Sequence, residues 1–111
     1  MNVNESAAVA NSEGFVSSFV ACATPCRLQT VTGFNSGPNQ YVFVFDLASA
    51  PAGGTAVKPR FVLKTPEDIQ FCFDYRGRPF TTGLVLCNST SPTTYAPGGN
   101  DCLYDVQLDQ R

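Results

Sequence analysis

The chain has 111 residues, enough for one domain with a single core and too few for two. Apolar residues make up 43% and charged residues only 14%, roughly half of the usual quarter, and a net charge of −2 gives no electrostatic drive toward nucleic acid. No apolar run approaches the ~18 residues of a membrane helix, and the lack of histidine removes the commonest general base and metal ligand.

Residues 1–14 are small and polar with no basic residue. They read as a flexible N-terminal arm, either frayed or ordered only against a neighbouring subunit. No basic segment followed by an apolar one opens the chain, so the expectation is synthesis in a cytosol or a leader already removed. Residues 15–111 read as a single β-sandwich domain. Phe15, Val16, Phe19 and Val20 mark a short strand, and Pro25, between Cys22 and Cys26, favours a turn. Arg27 to Phe34, rich in Thr and Val, is a second strand, stopped by the turn formers Asn35-Ser36-Gly37-Pro38-Asn39. Tyr41-Val42-Phe43-Val44-Phe45 is apolar on both faces, the mark of a central strand covered on both sides, so its aromatics belong to the core rather than to a ligand platform. After an Ala/Pro/Gly loop from Ala48 to Gly54, Arg60 to Lys64 alternates, as does Ile69 to Tyr75. The latter puts Ile69, Phe71, Phe73 and Tyr75 inward and Gln70, Cys72 and Asp74 outward.

Arg76-Gly77-Arg78-Pro79 then turns the chain into what reads as one long hairpin. Its first arm is Phe80 to Cys87. Its second, Cys102 to Leu108, alternates strictly, with Cys102, Tyr104, Val106 and Leu108 on one face. Between them, Asn88 to Asp101 consists almost wholly of turn formers and small polar residues, with Tyr95 near its tip, and is expected to face solvent. About six to eight strands separated by turn clusters, with no sustained helical period, specify an all-β fold, an antiparallel β-sandwich or jelly roll.

Five cysteines sit awkwardly with a purely reducing compartment, and the odd count leaves at least one outside any intrachain pair. Cys87 and Cys102 fall at the inner ends of the hairpin arms, so a disulfide between them is expected, with two buried thiols as the alternative. The bridge would close a loop of about 16 residues and contribute on the order of 3 kcal/mol in the chain-entropy account. Cys22, Cys26 and Cys72 are left for a second or an inter-chain bridge. Cys22 and Cys26 have the spacing of half a zinc site, but nothing completes it, so neither metal nor cofactor is expected. Asp46, Asp74, Asp101 and Asp105 stand in no catalytic motif, and catalysis is not expected. Arg60, Lys64, Arg76 and Arg78 share a region with Glu67, Asp68 and Asp74, which makes a mixed surface rather than a phosphate site.

Gly33 to Asp46, Gly77 to Thr90 and Asp101 to Gln107, taken in order, resemble the small β-sandwich virion proteins of tailed bacteriophages. The resemblance covers residues 28–108. It implies a structural component of the particle that works by binding: a capsid decoration protein on the head or, alternatively, a tail, neck or baseplate component, with no catalytic residues. It further implies the major capsid protein or other virion subunits as partners, and location in the virion after synthesis in the host cytoplasm. A glycan-binding module for host recognition is a second alternative, since such modules are often β-sandwiches, although tryptophan is absent and Tyr95 is the one evident stacking residue. Phe15, Val16, Phe19, Val20 and Tyr95 are candidate interface residues, because leaving a large apolar side chain in water costs roughly 1.5–3 kcal/mol. A symmetric homo-oligomer, a trimer ahead of a dimer, would cover an exposed edge and employ the odd cysteine. Neither nucleic acid nor a membrane is an expected partner.

Overall fold

A computed structural model describes residues 7–110, which fold into strands and loops without a helix. The strands are β1 (Ala7–Asn11), β2 (Ser18–Cys22), β3 (Cys26–Asn35), β4 (Gln40–Phe45), β5 (Phe61–Thr65), β6 (Ile69–Phe80), β7 (Leu84–Ser89) and β8 (Cys102–Gln110). They form two four-stranded antiparallel sheets, ordered β1-β8-β3-β6 and β2-β7-β4-β5, stacked face to face. β1 pairs with β8, β2 with β7, β3 with β6 and β4 with β5. The chain is therefore one long antiparallel ribbon, folded at the β4–β5 connection and rolled until β8 also meets β3 and β7 also meets β4. This is a jelly roll. Rolling gathers connections 12–17, 36–39, 66–68 and 90–101 at one end and 23–25, 46–60 and 81–83 at the other.

Period-two alternation decides what fills the space between the sheets. Leu28, Val31, Tyr104, Val106 and Leu108 of the first sheet meet Val42, Val44, Leu84 and Leu86 of the second, all buried. Phe19 of β2 stacks on Tyr104, with ring centroids 6.3 Å apart and planes within 5°. β4 and β7 are buried on both faces, as the apolar run Tyr41 to Phe45 requires. The cover on their outer face is irregular chain: Tyr95 and Leu47, from the two longest connections, pack over Phe43, Phe45, Val85 and Cys87.

Several expectations are corrected by this topology. The β7 and β8 segments do not form a hairpin, because they lie in opposite sheets and the connection 90–101 crosses between them. No Cys87–Cys102 disulfide forms, and all five cysteines are thiols. The reason is geometric: Cys87 points to the outer face of its sheet, among Phe43, Phe45 and Tyr95, whereas Cys102 points into the space between the sheets. Arg76-Gly77-Arg78-Pro79 does not turn the chain back. β6 runs through it as a bulge in which Arg76 and Gly77 take φ of 53° and 85°, with Leu28 facing Arg78 and Thr30 facing Asp74 across the ladder. Ile69 is not inward but 44% exposed at the start of that strand. Within the segment expected to be a flexible arm, Ala7–Asn11 is a strand paired with β8; residues 1–6 lie outside the described residues. The short strand expected at Phe15 begins instead at Ser18, after a single bridge between Val16 and Cys102.

The first end of the roll is held by buried amides. Asn35, at the end of β3, is fully buried. Its Nδ2 donates to the carbonyls of Pro38 (2.8 Å), Thr65 (3.2 Å) and Pro66 (2.9 Å), while its Oδ1 accepts from the Gly37 N–H (3.0 Å) and Gln40 Nε2 (2.9 Å). Gln40 Oε1 accepts from Asn88 Nδ2 (2.9 Å), and Asn88 Oδ1 accepts from the Tyr104 hydroxyl (3.2 Å). Among the described residues no buried side-chain nitrogen or oxygen lacks a partner. Removing one member strands the others, at about 1–3 kcal/mol for each buried group left unsatisfied. Asn35→Ala, which strands several, is expected to cost on the order of 3–5 kcal/mol. Tyr104→Phe, which strands only Asn88 Oδ1, should cost about 1–2 kcal/mol. Urea unfolding of both variants checks the order; a Tyr104→Phe cost equal to that of Asn35→Ala would contradict it.

Candidate functional site

The second end of the roll is organised by Asp46, the residue after β4. Its Oδ1 accepts from the N–H groups of Thr82 (2.8 Å) and Gly83 (3.2 Å), and its Oδ2 from the N–H (3.1 Å) and hydroxyl (3.0 Å) of Thr81. Arg60 Nη1 stands 3.5 Å from Oδ2. The turn it caps needs glycine at position 83, where a Cβ would lie 2.4 Å from the Leu47 carbonyl oxygen and 2.7 Å from that of Cys22. Burial alone pushes the Asp46 carboxyl up, but the three backbone N–H donors and the Thr81 hydroxyl outweigh it and hold the group below the usual carboxylate range.

A carboxyl lowered in the folded state contributes stability that is present above its unfolded pKa of about 3.9 and is lost as pH falls through the folded value. Asp46→Ala should therefore cost about 1–2 kcal/mol at neutral pH, and the gap from the parent should close in acid, below the unfolded value. Denaturant titrations at neutral and acidic pH read this; a gap that stays constant would remove Asp46 from the account.

Beside this cap, the open side between β5 and β6 is closed by aromatic rings and guanidinium groups. Phe61 stacks on Tyr75 at 4.7 Å and meets Phe80 edge-on at 6.2 Å. Arg78 lies 4.9 Å over the Phe61 ring and Arg60 5.0 Å over that of Phe80. Arg60 also donates to the Pro79 carbonyl at 3.2 Å. The arrangement is a seam between the two sheets, with its cations on the solvent side.

The recess with binding character lies on the outer face of β4. Connections 46–60 and 90–101 flank a groove of about 350 Å³ whose floor is Phe43 and Tyr95 and whose rim carries the Thr55, Thr93 and Thr94 hydroxyls and Lys58. Its size is that of a small-ligand site. Above the buried rings of Phe43 and Tyr95 the lining offers hydroxyls and one cation, groups that can hold a polar ligand. A second, shallower hollow of about 310 Å³ lies along β1 and β8, between Val9, Gln29 and Asp109.

The cysteines carry the chemistry of buried groups. Burial pushes Cys87 and Cys102 each up to about 11, against small opposing contributions from the Tyr95 and Tyr104 hydroxyls. Burial, then the adjacent Cys22 thiol, push Cys26 up to about 12. Such thiols stay protonated at neutral pH and pack as small apolar groups. Among the described residues no group of three or more Cys, Asp or Glu could hold a metal ion.

The residues singled out in the sequence scatter. Phe15 and Val20 are 48% and 41% exposed, on the side of the sandwich bounded by β1 and β2. Val16 and Phe19 instead pack against the core. Tyr95, expected at an exposed tip, is 5% exposed beneath its loop and contacts the rings of Phe43 and Phe45. Cys72 is exposed on β6. Sequence reading missed Lys58 and the roles of Asp46 and Asn35. An Asn ending a strand three residues before a proline was a usable signal for Asn35; nothing local links Asp46 to Thr81-Thr82-Gly83. No family model, no curated protein and no solved structure matches the chain.

Proposed function

We propose that this chain is a structural protein of a virus particle, in the manner of a decoration protein bound to the head of a tailed bacteriophage, acting through protein contacts. The observation that carries the reading is the rolled-ribbon topology, with β1 against β8 and β4 against β5 as the outermost and innermost pairs. The jelly roll is a recurrent scaffold of capsid subunits and of lectins, and the argument from it is an analogy of fold. Apolar exposure on both open sides of the sandwich supports a binding role. Phe15 and Val20 lie beside the edge strands β1 and β2, and Val62 and Ile69 on the edge strands β5 and β6. With two such sides a chain has a surface for a capsid subunit and another for a second copy of itself, which is how a homotrimer or homodimer would be accommodated.

A labelled copy incorporated into virions and located by negative-stain imaging tests the reading. Label on the head is expected; label on the tail, neck or baseplate moves the protein to that alternative; particles without label overturn both. Val20→Lys, which changes an exposed side chain and leaves the core intact, should lower particle affinity about tenfold or more, the equivalent of about 1.4 kcal/mol, with an unchanged β-sheet circular-dichroism signal.

The groove over Phe43 and Tyr95 favours a second reading, a glycan-binding module. Its hydroxyl rim and single lysine suit a saccharide bearing a carboxylate. Binding on a glycan array that disappears in Lys58→Glu would support it, and a blank array would remove it.

A further inference from the structure

We propose that Cys22 and Cys26 are a disulfide site: exposed to a small-molecule disulfide such as oxidised glutathione, they close an intrachain bridge that staples the two sheets at the end of the roll capped by Asp46. The inference concerns the fold and is independent of what the chain binds.

Topology puts the pair together. β2 ends at Cys22 in one sheet and β3 begins at Cys26 in the other, so Ala23, Thr24 and Pro25 form the whole crossing between sheets. Cys22 faces Leu84 across its ladder and Cys26 faces Phe80, and these two are themselves separated only by the tight turn 81–83. Both side chains enter the same interior cluster, Cys22 at 6% and Cys26 at 1% exposure. The Cys22 Sγ is turned back over the connection, 3.3 Å from both the carbonyl oxygen and the hydroxyl of Thr24, and the Cys22 thiol is near enough to Cys26 to help raise its pKa. The remaining cysteines are placed elsewhere. Cys72 is on the outer surface of edge strand β6, Cys87 lies beneath Tyr95, and Cys102 sits at the opposite end, 3.8 Å from Asn35 Oδ1.

The exchange balances. Cys22, the less buried of the two, loses its proton and its thiolate attacks one sulfur of the small disulfide, breaking that S–S bond and releasing one small thiol. Cys26, deprotonated in turn, attacks the Cys22 sulfur of the mixed disulfide and releases the second. Two protein thiols and one small disulfide become one protein disulfide and two small thiols, so the protein pair is oxidised as the small disulfide is reduced. Because burial and the neighbouring thiol raise Cys26 to about 12, the second displacement waits on an opening of the exposed Ala23-Thr24-Pro25 crossing. The closed ring is short, so its effect on the unfolded chain is small. Its main consequence is local: β2, an edge strand with β7 as its one ladder partner among the described residues, becomes covalently fixed to the interior strand β3.

The sequence makes the test direct. The first basic residue is Arg27, so a single tryptic peptide, residues 1–27, contains both cysteines. The folded wild-type protein is incubated with oxidised glutathione, unfolded, alkylated and digested. The expected peptide 1–27 carries no alkyl group and is lighter by two hydrogens, and it regains both alkylation sites after reduction. Non-reduced protein should also melt at a higher temperature than reduced protein, a difference lost in Cys26→Ser. The proposal is overturned if peptide 1–27 is alkylated at both cysteines while Cys72 in the same sample carries glutathione, which proves that the oxidant acted. It is equally overturned if Cys22 or Cys26 is recovered cross-linked to a second chain in Cys72→Ser protein.

Discussion

One buried carboxamide settles how this ribbon closes. Asn35 sits where β3 ends, yet its hydrogen bonds run to chain that belongs to the 36–39 and 66–68 connections and, through Gln40 and Asn88, to 90–101. The fourth connection at that end joins through Ser12, whose N–H donates to the Tyr104 carbonyl and whose hydroxyl accepts from the Tyr104 N–H. An apolar side chain at position 35 would leave the buried Thr65 carbonyl and the Gln40 amide without their partner, so the sandwich is bound to this amide even though the area between the sheets is filled by Leu, Val and Phe. At the opposite end a carboxylate does the corresponding work: Asp46 gathers three successive N–H groups of the 81–83 turn and leans on Arg60. Apolar area supplies the bulk of the favourable free energy, and these two polar anchors select which loops it closes over.

The strands were legible because their cause is local. Alternation along Cys102 to Leu108, the doubly apolar run at Tyr41 to Phe45 and the turn at 36–39 each appear in the structure where the residues put them. Pairing was illegible because its cause is distant. Nothing near Leu84 or Cys102 indicates that the first answers to β2 and β4 and the second to β1 and β3, and nearness in sequence favoured the wrong hairpin. The false turn at Arg76-Gly77-Arg78-Pro79 has the same origin. Residues suited to reversing a chain also suit a bulge, and here the Asp74 carboxylate accepts the Arg76 N–H at 3.1 Å and holds the left-handed backbone within a continuing strand.

The candidate site was legible only in outline. Tyr95 stood out correctly as the single aromatic in a polar loop, but its role inverts: it is the plug that lets β4 and β7 be apolar on their outer face. The loop is thus folded down by its own aromatic, and the groove beside it is what the descent of that loop leaves next to the 54–59 segment. Lys58 becomes a site residue by position alone, since an exposed lysine after Val57 carries no signal in the sequence.

The pairing of β1 with β8 has a consequence for how the protein comes into being. Ala7 faces Asp109, so the first and last of the described strands are neighbours, and β8 lies between β1 and β3. A chain growing on the ribosome holds seven strands before the middle of one sheet exists, and throughout that interval the inner edges of β1 and β3 have no ladder partner. Contacts so remote in sequence are slow to form, and unpaired edges are sticky while they wait. The keystone of this sheet is therefore made after both of its neighbours, and a chain stopped before β8 is a sheet without its centre.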